Sequence, residues 1–221
     1  MNYLSLVQNV LWNGMLAVIP VVLAYAIVWL SRIHVYRWVK YLAITILGFV
    51  WLDFLPNTCY LLTEWRHFLY YLDSQNLFVR SQYEQVLFIQ LCALSFFYFL
   101  YSGFGMLMFV LAIRPIKHLA AKKGATIELW VIPFFVVLSL GVYLGLILRF
   151  NSWDPLWSHA GILKIWNALV MVGSRPKLMA FIFMFGMFLW IAYEAMDIWI
   201  DGISDRWSRA TGKRMHLGPE I

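Results

Sequence analysis

Between Asp53 and His67 the chain sets two carboxylates, an amide, a phenol and an imidazole inside or beside an apolar run. Proline at 56 removes a backbone donor, so a helix passing through must kink or restart there. On a helix resumed after Pro56, the side chains of Asn57, Tyr60, Glu64, His67 and Tyr71 share one face, and Asp53, one turn earlier, points toward the same stripe. Polar groups at membrane depth cost free energy unless they are satisfied internally, which makes this stripe a candidate site. A second polar segment, Arg149-Phe150-Asn151-Ser152-Trp153-Asp154, follows a later apolar run, with His159 a little beyond it.

Four chemistries fit these residue types. Glu64 and His67, spaced i, i+3, present a carboxylate and an imidazole together, and with Asp154 they would make a metal site. A single Glu-x-x-His is half of what a di-metal bundle uses, so the cofactor stays open. Without metal, His67 oriented by Glu64 would be a general base, and Glu64, His67 and Asp154 are the catalytic candidates. In the structural reading, Arg149 pairs with Asp53, Glu64 or Asp154, while Asn57 and Asn151 satisfy backbone groups freed at Pro56 and at a helix end. In the fourth, Asp53, Asn57, Tyr60, Arg149 and Asn151 hold a ligand or a lipid headgroup.

The elements that must position these groups are membrane helices. Of 221 residues, 63% are hydrophobic and only 13% charged, with mean hydropathy +0.74, against about 25% charged in soluble domains. The fold class expected is all-α, a polytopic transmembrane bundle of about five spans with interfacial amphipathic segments. Apolar runs place them at 12–31, 41–62, 86–112, 129–148 and 178–200, with 157–172 a sixth if it crosses. That third run is longer than needed, so tilt or a break near Gly103 and Gly105 is expected, then a basic loop from Arg114 to Gly124. Residues 65–84 read as an interfacial segment, 1–200 as one membrane domain and 201–221 as a polar tail. Gly141 and Gly145, four apart, flatten one face of the fourth span and let another backbone approach. Glu194 and Asp197 near the end of the last span, with Asp201 beyond, oppose the helix dipole and should meet basic loop residues or water. Cys59 and Cys92 form no disulfide framework.

Five spans put eleven of the 17 Lys and Arg residues on one side: those after the first span, those from 114 to 123, and those of the tail. The positive-inside rule then sets the N-terminus outside and the C-terminus in the cytoplasm. The net charge of +6 is explained by this asymmetry, and no nucleic-acid-binding motif accompanies it. The ends of spans two and four, carrying Glu64 and Arg149, emerge together on the outer face.

The run Phe54-Leu55-Pro56-Asn57-x-x-Tyr60-Leu61 with its acid-x-x-His, the run Gly141-x-Tyr143-Leu144-Gly145, and Arg149-x-Asn151-Ser152-Trp153-Asp154 resemble the bacterial membrane proteins of domain-of-unknown-function family 1361. The resemblance covers most of the chain and implies a multi-spanning fold in a bacterial inner membrane or its equivalent; it offers no reaction. Glu64 stands where the family is associated with Asp. Two function classes follow: a small accessory or assembly subunit docking to a larger membrane complex, and, as the alternative, an enzyme or ligand-binding protein with a polar, metal-capable site at the outer face. The bilayer is the partner common to both. With no internal repeat in the chain, a transporter ranks behind them.

Overall fold

A computed structural model describes residues 3–122, 124, 127–146 and 159–212. Among the described residues the chain is helical and has no strands. The helices are α1 (Tyr3–Arg32), α2 (Arg37–Phe54), α3 (Pro56–Thr63), α4 (Trp65–Ser74), α5 (Leu77–Arg80), α6 (Gln85–Lys122), α7 (Ile127–Leu146), α8 (His159–Gly173) and α9 (Pro176–Thr211). Among the described residues, four stretches are long and apolar enough to cross a membrane: Val7–Arg32, Arg37–Ser74, Gln85–Lys122 and Pro176–Thr211. A shorter apolar one spans Trp130–Gly145. Helix α8, 15 residues, is about 22 Å long at 1.5 Å per residue, less than the roughly 30 Å of a hydrocarbon core.

Helices α2, α3 and α4 form one interrupted rod. Pro56 opens α3 at its first position, where a missing N–H costs nothing. Side chains take up the carbonyls around the interruption: the Thr58 hydroxyl donates to Leu55 O at 2.7 Å and the Asn57 amide donates to Phe54 O at 2.9 Å. The second interruption falls at Glu64, where His67 N–H reaches back three residues to Glu64 O at 2.9 Å. At Asn76, φ is 47°, a left-handed turn that asparagine tolerates, and it separates α4 from α5.

The running directions follow from paired residues. In α7 and α9, Ser139 Oγ donates to Ile182 O at 2.8 Å, and Phe135 lies against Gly186, so the two are antiparallel. In α6 and α9, Phe109 meets Tyr193 and Arg114 meets Asp197, so these two run parallel. Tyr101 of α6 donates to Val10 O of α1 at 3.4 Å, and Tyr25 lies within electrostatic reach of Arg114, so α1 and α6 are parallel as well. One end of the bundle therefore gathers the starts of α1, α6 and α9 with α4. The other gathers the ends of α1, α6 and α9.

Of the tilt or break expected near Gly103 and Gly105, the break is absent: α6 is continuous from Gln85 to Lys122. Gly105 serves contact, because a Cβ there would stand 2.9 Å from Thr58 O and 2.5 Å from Leu61 Cβ of α3, whereas Gly103 faces open space. Nor is 114–124 a loop. Pro115 sits buried inside α6, and Arg114, Lys117 and Lys122 are helical, with the turn confined to the neighbourhood of Gly124 at φ 75°. The expected tail likewise begins as helix, since α9 runs to Thr211 and closes on Gly212, φ 66°, whose N–H meets Ser208 O at 2.9 Å.

The core lies between α1, α3, α6, α7 and α9. Ala24, Leu55, Cys59, Phe109, Leu138 and Tyr193 are fully or almost fully buried there. Both cysteines are free thiols.

Candidate functional site

The stripe on the α2–α4 rod divides between two depressions, because the interruption at Glu64 changes the helical phase. Tyr60 and Asp53 turn toward α7. They line a cavity of about 370 Å³ with Gly141, Gly145 and, from α8, Ile165 and Leu169. A Cβ on Gly141 would lie 2.8 Å from Pro56 Cγ, and one on Gly145 would fall on the Tyr60 hydroxyl. The two glycines thus face α3 across the contact between spans two and four. The Tyr60 hydroxyl reaches Gly141 O at 3.5 Å. Asn57 is buried, its amide on Phe54 O.

Glu64, His67 and Tyr71 turn the other way, toward the starts of α1 and α6. They line a cavity of about 340 Å³. Helix α1 contributes Asn9 and Asn13 to its wall, and α6 contributes Tyr98 and Tyr101. Asn13 Nδ2 donates to Glu64 Oε1 at 3.4 Å, a long bond, and His67 Nε2 stands 3.8 Å from Glu64 Oε2. The Glu64 side chain is 21% exposed and that of His67 59%, so the carboxylate sits inside and the imidazole at the mouth. The rings are fixed from behind. Tyr101 donates to the Val10 carbonyl at 3.4 Å, Gln90 Nε2 donates to the Tyr71 hydroxyl at 3.3 Å, and Tyr98 packs against Phe68 and Trp65.

The remaining candidates, Arg149, Asn151 and Asp154, lie outside the described residues, and so does the His159 side chain. Among the described residues no three His, Cys, Asp or Glu side chains gather as metal ligands. The pair Glu64 and His67 supplies two.

A second polar cluster lies at the opposite end of the bundle. Arg114 Nη1 is 3.3 Å from Asp197 Oδ1, and Arg114 also pairs with Asp201. Lys117 Nζ stands 3.2 Å from Glu194 Oε1 and 3.3 Å from Asp197 Oδ2, and lies over the Tyr193 ring at 4.9 Å. The carboxylates were expected to meet basic loop residues or water; they meet basic residues of a neighbouring helix. The spacing carried the signal: Glu194, Asp197 and Asp201 recur at i, i+3 and i+7, and Arg114 and Lys117 at i, i+3, each set on one face. Asn9 and Asn13 carried none, being uncharged amides in an apolar helix. Only the fold brings them to Glu64.

Bundle and pockets together define an all-α protein built of apolar, membrane-type helices. The model of the family described as protein of unknown function (DUF1361) matches residues 12–192, and the chain belongs to that family. The match takes in Asn13, Glu64 and His67 and stops short of Glu194. Neither the curated proteins nor the solved structures gave a match.

Proposed function

We propose that this chain is a multi-pass integral membrane protein that binds a small polar or polar-headed molecule in the Glu64 cavity. The observation that carries the reading is the cavity itself. It is concave and mostly apolar, with a few convergent polar groups and one recessed carboxylate, the usual make-up of a small-molecule site. Helices α1, the α2–α4 rod, α6, α7 and α9 would be five crossings, with α8 lying at one face. The shared end of α6 and α9 supports an odd count, since a sixth crossing between them would separate Arg114 from Asp197. The positive-inside rule then puts the cavity on the non-cytoplasmic face, with the N-terminus outside and the C-terminus in the cytoplasm.

The accessory-subunit reading, with docking to a larger membrane complex, draws on the exposed aromatic faces, among them Phe88, Phe96 and Phe99 on α6. Lipid accounts for such faces equally well, so the cavity is the stronger support and favours the ligand-binding reading, with or without a reaction at Glu64 and His67.

The test is native mass spectrometry of protein purified in mild detergent. The wild type should carry a bound small molecule that Asn13→Trp and His67→Trp, which fill the cavity from its wall and its mouth, lose while remaining folded. Identical spectra for the three folded proteins would overturn the reading.

A further inference from the structure

We infer that the Glu64 cavity selects a ligand bearing an ammonium group, primary or quaternary, and this rests on the reading of that cavity as a binding site. The wall holds one carboxylate, Glu64, and no Lys or Arg among the described residues. Within the described residues that carboxylate has one long hydrogen bond, from Asn13 at 3.4 Å, a 3.8 Å approach by His67, and the Arg66 charge within electrostatic reach but outside the wall. An ionised carboxylate offers about four lone-pair positions, so most of its accepting capacity faces the cavity.

Two of the wall's donors are already engaged: the Asn13 amide is on Glu64 itself, and the Tyr101 hydroxyl is on the Val10 carbonyl. Beside the uncharged Asn9 amide, the wall is largely aromatic: Tyr71, Tyr98 and Tyr101, with Phe68 beside them. Aromatic faces carry a negative quadrupole and attract a desolvated cation. A recessed carboxylate set among such faces complements a positive head. A phosphate or carboxylate head would find the Glu64 charge opposing it and no Lys or Arg among the described lining residues to offset that, only uncharged donors such as Asn9 beside His67. An uncharged polyol could hydrogen-bond to Glu64 and Asn9 but would leave the carboxylate's charge uncompensated. The charge pattern therefore discriminates by sign before shape enters.

An ammonium group reaches such a face either as a small soluble amine or as the head of a zwitterionic phospholipid, and the experiment separates the two. The full chain in detergent is titrated calorimetrically with choline, ethanolamine, methyl phosphate and acetate. In parallel, native mass spectrometry from nanodiscs compares retention of phosphatidylcholine, phosphatidylethanolamine and phosphatidylglycerol. The expected result is saturable binding of choline or ethanolamine, or retention of a zwitterionic lipid over phosphatidylglycerol; the first identifies a soluble amine and the second a headgroup. Glu64→Gln, which keeps size and the contact with Asn13, should weaken that binding by about tenfold or more, as expected for losing a charged hydrogen-bond partner. Asp73→Asn, an exposed acid on α4 outside the wall, should leave it unchanged. Preference for methyl phosphate, acetate or phosphatidylglycerol, or equal binding by Glu64→Gln, overturns the ammonium assignment and leaves the binding site standing. If no probe of either charge binds, the assignment falls together with the site.

Discussion

Gly186→Leu should yield almost no folded protein, whereas Gly103→Leu should purify like the wild type. Both glycines lie within long apolar helices, so composition alone would rank the two changes together. Their surroundings differ. A Cβ at Gly186 would stand 2.9 Å from Phe135 O and 3.1 Å from Val136 Cα, both backbone atoms of α7. Backbone cannot rotate aside as a side chain can, so the helices would have to separate. Separation would also break the buried bond from Ser139 to Ile182 O. Overpacking a close-packed contact costs about 1–3 kcal/mol, more where nothing can yield. Gly103 meets nothing within 4 Å, and a surface change of that kind stays within about 0.5 kcal/mol. The yield of monodisperse protein from size exclusion in detergent measures the difference. Equal yields would show that α7 and α9 do not pack at Gly186.

Arg114→Ala should lower the thermal midpoint in detergent far more than Lys122→Ala. The Arg114 and Asp197 side chains are each 14% exposed. Removing one member of a largely desolvated pair strands its partner, at a cost of roughly 3–5 kcal/mol. With Arg114 gone, Lys117 alone faces Glu194, Asp197 and Asp201, two of which it already contacts. Lys122 is an exposed residue in the last turn of α6, and exposed charges contribute about 0–1 kcal/mol. The double variant Arg114→Ala with Asp197→Ala should cost less than the two single changes together, since each removes the penalty the other leaves. Additive losses would mean that the two side chains act independently.

The residues differ in how far their roles could be read before folding. Helical class and the restart at Pro56 follow from one apolar pattern and one missing N–H, both local properties. The faces of Gly141 and Gly145 are also local, since two missing side chains one turn apart flatten a helix whatever it meets. The course of α6 past Arg114 was not legible. Pro115 and the charges around it look like a terminus, but Pro115 is buried within the continuing helix, and Arg114 and Lys117 find carboxylates on α9. The division of the polar stripe was hidden for a similar reason. An ideal helix keeps Tyr60 and Glu64 on one face, and only the interruption at Glu64 sends one toward α7 and the other toward α1. Asn13 shows the limit most simply. Fifty-one residues separate it from Glu64, and nothing in its own neighbourhood distinguishes it from an amide buried for packing.

The proposed orientation puts the two polar clusters on opposite membrane faces, with the Glu64 cavity outside. Cysteine labelling in intact cells tests this directly. In a Cys92→Ser background, with Cys59 buried, single cysteines are placed as His67→Cys at the cavity mouth and Lys122→Cys beyond the Arg114 cluster. An impermeant maleimide should label His67→Cys without permeabilisation and Lys122→Cys only after it. Labelling of both positions from the same side would contradict the account.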